Sequence, residues 1–112
     1  MTNILIVEDD PMVQFIHRNY LEKLGTFETI YSSETIAEAK KLLATRSIQL
    51  ILLDIRLKDG NGIDFLTELR RTKQMVDVIL ITAANEVEIV NDALHLGVID
   101  YLIKPFTMER FE

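Results

Sequence analysis

The stretch Leu50–Asp54, with the sequence Leu-Ile-Leu-Leu-Asp, decides the fold of this chain. Four apolar residues follow one another without a polar partner, and turn-forming residues come soon after, from Lys58 to Gly62. An uninterrupted apolar run of this length is typical of a strand buried on both faces of a parallel sheet. In open parallel α/β sheets, functional groups collect at the carboxyl ends of the strands. Asp54 lies at such an end, which makes its carboxylate the first candidate for chemistry.

The same pattern recurs along the chain and alternates with amphipathic segments. Predicted strands are residues 4–7, 27–31, 50–54, 78–82 and 98–103, and predicted helices are residues 11–24, 33–46, 62–71, 84–96 and 107–112. Strict alternation of strand and helix predicts an α/β fold, a doubly wound five-stranded parallel sheet. For this sheet we expect the flavodoxin-like order 2-1-3-4-5. A helical bundle is rejected because the Ile/Leu/Val runs are too short and too apolar for surface helices.

The two ends of the chain add one expectation each. Asp10 before Pro11 is a good helix start, and the first helix carries a predicted apolar stripe of Val13, Ile16, Tyr20 and Leu24. The last predicted helix is truncated at residue 112. Because a helix that short is marginal alone, we expect the chain to be one domain, residues 1–112, cut from a longer protein.

Composition narrows the class of protein. The chain has 112 residues, a formal net charge of −6 and no cysteine. An acidic domain lacks the basic face that phosphate contacts require, so we do not expect it to grip nucleic acid itself. The lack of a signal peptide and of any apolar run near membrane-spanning length predicts a soluble cytoplasmic protein with no membrane partner.

Five polar groups are predicted to meet at one edge of the sheet. The first strand ends in Glu8 and Asp9, the third in Asp54, the fourth in Thr82 and the fifth in Lys104. Two like charges about 4 Å apart repel by roughly 4 kcal/mol at an effective dielectric near 20, so such carboxylates need a cation. An all-oxygen cluster with few protein ligands suits Mg²⁺, which favours phosphate as a further ligand.

A carboxylate, an ammonium, a hydroxyl and Mg²⁺ together suit a phosphoryl group as substrate. Asp54 is the candidate nucleophile, and Glu8 and Asp9 are placed to hold the ion. The Thr82 hydroxyl and the backbone N–H of Ala83 are candidates to bind phosphoryl oxygens, because a small residue at position 83 lets the backbone come close.

These residues, in this order, resemble the receiver domain of bacterial two-component response regulators. The motifs are the acidic pair before Asp10-Pro11, Leu-Leu-Asp54 with Gly62 eight residues on, Thr82-Ala83, and Tyr101-Leu-Ile-Lys104-Pro105-Phe106. The loop Asp-Gly-Asn-Gly-Ile-Asp at residues 59–64 is most similar to the citrate- and dicarboxylate-sensing group.

The resemblance implies a role for each matching residue. Asp54 would accept a phosphoryl group from a sensor histidine kinase, and Lys104 would contact that group, with a cis peptide before Pro105. Mg²⁺ would be bound by the side chains of Asp9 and Asp54, by the backbone carbonyl of Arg56, and by Glu8 through water. Thr82 would then move toward the phosphate and Tyr101 would swing inward, which makes the domain a two-state switch rather than an enzyme acting on other substrates.

Two positions depart from the family pattern. Lys58 stands where proline is common, which predicts a more mobile loop after Asp54. Arg56 places a long cation two residues after the nucleophile, and we expect it to influence how easily water reaches the acyl phosphate.

Several alternatives stay open from the sequence. A small Mg²⁺-dependent phosphatase would also use an aspartyl phosphate, but such enzymes usually carry an acid/base aspartate at the position of Arg56. A flavin carrier on the same topology is disfavoured because the first loop is acidic. Within the switch class, a stand-alone receiver competes with a transcription regulator whose C-terminal DNA-binding output domain is absent here. The resemblance also implies a homodimer through the face of the fourth helix, fifth strand and last helix.

Overall fold

The computed structural model describes residues 2–72, 74 and 76–104. A five-stranded parallel sheet lies at the centre, with the order β2-β1-β3-β4-β5. Its strands are β1 (Asn3–Val7), β2 (Thr29–Ser33), β3 (Leu50–Asp54), β4 (Asp77–Thr82) and β5 (Val98–Ile103). The predicted fold class and strand order are therefore confirmed.

Helices connect consecutive strands. They are α1 (Pro11–Leu24), α2 (Ile36–Thr45), α3 (Gly62–Arg71) and α4 (Val87–Ala93), and short 3₁₀ turns flank α4 at Ala84–Glu86 and Leu94–Leu96. Within the described part of the chain, no helix is long and apolar enough to cross a membrane. The predicted last helix, Pro105 with its peptide bond, and the dimer face that needs that helix lie outside the described residues.

The apolar strand runs are continuous because both faces of the sheet are covered. Alternate residues of β1 enter opposite clusters: Leu5 and Val7 pack on one side, and Ile4 and Ile6 on the other. All four are fully buried. Two cores on either face of a central sheet explain why strand residues of both parities are apolar.

Three sequence predictions were wrong in detail. The second strand covers Thr29–Ser33 rather than residues 27–31, and α2 begins at Ile36, after a Thr35 cap that accepts from the Glu38 N–H. The stripe predicted for α1 is also shifted, because the helix buries His17 and Leu21. Ile16, a member of the predicted stripe, is exposed.

The loop after Asp54 has more structure than predicted. Arg56–Leu57 pairs with Gly60–Asn61 in a short antiparallel hairpin. At its tip, Asp59 accepts hydrogen bonds from the backbone N–H groups of Ile36 (2.8 Å) and Ala37 (3.1 Å). These bonds hold the pKa of Asp59 below its usual value. Although Lys58 replaces the proline, the loop is tied to the N-terminus of α2.

Candidate functional site

Three carboxylates meet at the carboxyl edge of the sheet. Oxygen atoms of Glu8, Asp9 and Asp54 all lie within 4.8 Å of one another. They come together because β1 and β3 are adjacent parallel strands that pair through Val7 and Leu53. In both strands, the residue immediately after this pair carries a carboxylate. Asp10 is not part of this cluster, because its side chain caps α1 by accepting from the Met12 N–H at 2.9 Å.

Lys104 provides the positive charge of this cluster. Its Nζ donates to Asp54 Oδ2 at 2.9 Å and lies 3.0 Å from Glu8 Oε1. Since β4 lies between β3 and β5, the lysine side chain reaches across the end of β4 to meet both carboxylates. Burial acts to lower the pKa of Lys104, but the hydrogen bond to Asp54 and the negative charges of Asp54 and Glu8 outweigh it and raise the pKa above its ordinary value.

The Lys104 ammonium does not neutralise all three carboxylates of the cluster. Glu8 is 2% exposed, and burial raises its pKa from 4.5 to about 7, with Lys104 opposing the change and the charge of Asp54 adding to it. Oxygen Oε1 of Glu8 is buried and accepts no hydrogen bond from the described residues, because Lys104 approaches it without hydrogen-bond geometry. A buried carboxylate oxygen of this kind, beside two further carboxylates, fits a divalent cation with oxygen ligands.

Thr82 and Ala83 lie at the end of β4, the strand between those that lead to Asp54 and Lys104. Thr82 is fully buried and its hydroxyl donates to the Ala83 carbonyl at 3.1 Å. Lys104 N–H in turn donates to the Thr82 carbonyl at 2.8 Å, which fixes the end of β5 against the end of β4. Tyr101 is half-buried against the core that contains Leu80, its partner on β4.

Sequence reasoning missed one buried carboxylate near this edge. Glu86 is 5% exposed; it accepts the Ala83 N–H at 3.1 Å and forms an ion pair with the Arg56 guanidinium. A glutamate that reaches back three residues to the backbone N–H before a helix is half of a capping box. The pattern Ala-x-x-Glu at residues 83–86 carries that signal weakly, since alanine has no side-chain oxygen to complete the box.

His17 lies close enough to the site to feel its charges. Burial lowers its pKa from 6.5 to about 4, the charge of Lys104 lowers it further, and that of Asp54 opposes the change. The imidazole is therefore neutral at pH 7. His95, the other histidine, is exposed at the end of the α4 segment and belongs to another part of the molecule.

This sheet order, with an acidic cluster, a lysine and a threonine at its carboxyl edge, defines a class of signalling domain. The family model for the response regulator receiver domain matches residues 4–112, and the chain belongs to that family. It is a receiver domain of a two-component response regulator.

The relatives agree with this assignment. "Transcriptional regulatory protein MalR" of Bacillus subtilis (strain 168) is 45% identical over 112 residues, which cover 100% of this chain and 48% of MalR. "Probable C4-dicarboxylate response regulator DctR" of Halalkalibacterium halodurans is 40% identical over 114 residues, covering 100% of this chain and 49% of DctR. The chain thus spans about half the length of these relatives. The predicted resemblance to the dicarboxylate-sensing group is confirmed.

A solved structure is closely similar in sequence. "MaeR response regulator bound to beryllium trifluoride" is 92% identical, covers 99% of this chain and 91% of that chain, and superposes with a TM-score of 0.76. In that structure, the MaeR response regulator is bound to beryllium trifluoride.

Proposed function

We propose that this domain is a phosphorylation-dependent switch in which Asp54 accepts a phosphoryl group from the histidine of a sensor kinase. The single observation that carries the proposal is the contact of Asp54 with Lys104 at 2.9 Å inside a cluster of three carboxylates. A carboxylate held between a fixed ammonium and a cation site is equipped to become an acyl phosphate, because both partners offset charge on the incoming group.

In the transfer step, an oxygen of Asp54 attacks phosphorus while the bond from phosphorus to the kinase histidine nitrogen breaks. The histidine leaves with the electron pair of that bond, and Asp54 becomes an acyl phosphate. The Lys104 ammonium is already within hydrogen-bond distance of Asp54, so it needs little rearrangement to contact a phosphoryl oxygen. Electrostatic groups that are in place before the reaction lower the barrier most.

Glu8, Asp9, Asp54 and the backbone carbonyl of Arg56 are the proposed holders of Mg²⁺, with Glu8 acting through water. When bound, Mg²⁺ would offset negative charge on the transferring group. The cluster of carboxylates supports this assignment, as does the buried Oε1 of Glu8. We assign Mg²⁺ because an all-oxygen site that shares its ion with phosphate suits that metal.

The switch itself is assigned to Thr82, Ala83 and Tyr101. The phosphoryl oxygens would accept hydrogen bonds from the Thr82 hydroxyl and the Ala83 N–H. Thr82 would then release the Ala83 carbonyl that it now contacts. Its movement would vacate space next to β5, and Tyr101, half-buried on that strand, would turn inward to fill it. A few charge-assisted hydrogen bonds are enough to shift a two-state equilibrium of this kind.

The kinase is proposed to dock on the exposed face of α1. Met12, Phe15 and Ile16 lie on one side of this helix, and Phe15 is 60% exposed. The helix begins directly after Glu8 and Asp9, so this apolar face lies beside the acidic cluster. An exposed apolar helix face next to the acceptor is typical of a protein-binding surface, and a kinase docked there would hold its histidine close to Asp54.

The output is proposed to lie outside this chain. The relatives named as regulators are about twice as long as the matched region, and MalR is named as a transcriptional regulatory protein. With a net charge of −6, the receiver itself is poorly suited to bind DNA. A DNA-binding domain beyond the receiver would carry the transcriptional activity, and receiver dimerisation would couple the two.

One experiment tests the proposed function. The protein is incubated with acetyl phosphate and Mg²⁺ and its intact mass is measured. We expect a gain of one phosphoryl group in the natural chain and in Asp64→Ala, which removes an exposed carboxylate of α3. Asp54→Ala should show no gain. A gain that persists in Asp54→Ala would refute the assignment, and continuous turnover of phosphorylated metabolites would favour the phosphatase alternative.

A further inference from the structure

Glu86 is a buried carboxylate that belongs to neither the acidic cluster nor the apolar core. Its Oε1 accepts the backbone N–H of Ala83 at 3.1 Å, and its Oε2 pairs with Nε of Arg56. The Arg56 side chain is 78% exposed, whereas that of Glu86 is 6% exposed. A carboxylate this deeply buried is stable only with partners, so these two contacts hold it in place.

Both partners of Glu86 flank the proposed phospho-acceptor. Ala83 directly follows Thr82 at the end of β4, and Arg56 follows Asp54 by two residues. The Ala83 N–H is the donor that the proposed function assigns to a phosphoryl oxygen. A single N–H makes one well-aligned hydrogen bond, so it cannot serve the Glu86 carboxylate and a phosphoryl group together.

We propose that Glu86 is an internal competitor of the phosphoryl group, which keeps the Ala83 N–H occupied until Asp54 is phosphorylated. The inference rests on the proposed function, and Glu86 acts in it as a positioning residue. Its carboxylate oxygen satisfies in the resting state the same donor that a phosphoryl oxygen takes in the activated state. Phosphorylation therefore has to displace Glu86 from Ala83.

Release of Glu86 would reach the start of α4. Glu86 closes the 3₁₀ turn Ala84–Glu86 that leads into the helix, and its own N–H donates to the Ala83 carbonyl at 2.9 Å. Loss of the side-chain bond removes half of the contact that closes this turn. A cleft lined by Leu57, Gly60 and Ile89 lies beside Glu86 and gives the freed carboxylate access to water.

The competitor lowers the apparent affinity for any phosphoryl analogue. When the binding-competent state is a minor one, the apparent dissociation constant rises in inverse proportion to its population. Removal of Glu86 should therefore tighten binding. In the natural chain, binding breaks one charge-assisted hydrogen bond, from the Ala83 N–H to Glu86. We therefore expect removal of Glu86 to lower the dissociation constant about fivefold to thirtyfold.

The test uses beryllium fluoride with Mg²⁺ as the probe, titrated into ¹⁵N-labelled protein. We expect Glu86→Ala to bind about fivefold to thirtyfold more tightly than the natural chain. Glu86→Gln should show a smaller gain, because its amide oxygen still accepts from Ala83 while the ion pair is lost. Glu88→Ala, which removes an exposed carboxylate two residues further on, should stay within about twofold of the natural chain.

A second readout reports directly on the Ala83 N–H, and the direction of the affinity change separates competition from a purely structural role. In the free protein, the Ala83 amide resonance should move in Glu86→Ala and remain unmoved in Glu88→Ala. A structural cap would lower affinity when removed, so equal or weaker binding by both Glu86 variants would overturn the inference. If the natural chain fails to bind the probe through Asp54, the proposed function itself fails, which is a different result.

Discussion

The protonation of Glu8 predicts an unusual dependence of stability on pH. In the folded protein without metal, burial raises the pKa of Glu8 from 4.5 to about 7. Between these two values the folded protein keeps a proton on Glu8 that the unfolded chain has released. Stability contributed by this proton is complete below pH 4.5 and is lost as the pH rises through about 7.

The size of this loss follows from the two pKa values. A tenfold change in proton affinity corresponds to about 1.4 kcal/mol, so the difference between 4.5 and about 7 amounts to about 3 kcal/mol. Glu8→Gln keeps the shape of the side chain and removes its charge. The free energy of unfolding of the variant, relative to the natural chain, should therefore rise by about 3 kcal/mol between pH 4.5 and pH 8.

The assay is urea unfolding at several pH values, followed by far-ultraviolet circular dichroism, with a chelator present. His17 contributes in the opposite sense, because its pKa is lowered to about 4 and its stability is lost as the pH falls from 6.5 through 4. That contribution is common to both proteins and largely cancels in their difference. Lys104, with its raised pKa, stays charged over this range.

Mg²⁺ supplies the internal control. A bound cation favours the ionised form of Glu8, so saturating Mg²⁺ should flatten the pH dependence of the natural chain and leave that of Glu8→Gln unchanged. A difference between the two proteins that stays constant from pH 5 to pH 8 in the presence of chelator would refute the reasoning.

Three further predictions concern other parts of the molecule. Lys104→Gln should slow phosphorylation by acetyl phosphate roughly 10²-fold, and unchanged phosphorylation kinetics would contradict this. Mg²⁺ should bind the variant at least as tightly, because a positive charge has left the cluster. Gly62→Ala should lower the free energy of unfolding by about 3 kcal/mol in urea titrations, since an added Cβ would lie 2.3 Å from the Asp54 carbonyl oxygen. The control is Gly25→Ala, where an added Cβ has no atom within 4 Å but φ is +67°. It should lower the free energy of unfolding by only about 1 kcal/mol. Phe15→Asp should reduce phosphotransfer from the kinase at least about tenfold and leave modification by acetyl phosphate unchanged, so equal loss with both donors would argue against the docking face.

The sequence was sufficient for the sheet and for the meeting of Glu8, Asp54 and Lys104. Apolar runs that stop at charged residues define both the strands and their carboxyl ends, and the parallel topology then brings those ends together. The second strand was placed two residues early because Thr29–Ser33 is polar, as an edge strand can be, and its pairing with β1 fixes its register.

The contacts of Glu86 and Asp59 could not be predicted in the same way. Arg56 and Glu86 are 30 residues apart, and Asp59 meets Ile36 across 23 residues. Neither pair follows a periodic pattern, so only the folded backbone identifies the partners. The predicted apolar stripe of α1 was wrong for a related reason. His17 is buried in the fold, but a search for periodic apolar residues does not include histidine.

The reach of Lys104 across β4 has a consequence for how the chain folds. Asp54 and Lys104 are 50 residues apart, and their contact requires β4 to be inserted between their strands. A partly folded chain with only β1 and β3 paired would gather Glu8, Asp9 and Asp54 before any ammonium arrives. If β1 and β3 pair before β4 and β5 join the sheet, divalent cations should speed refolding, because they relieve this repulsion.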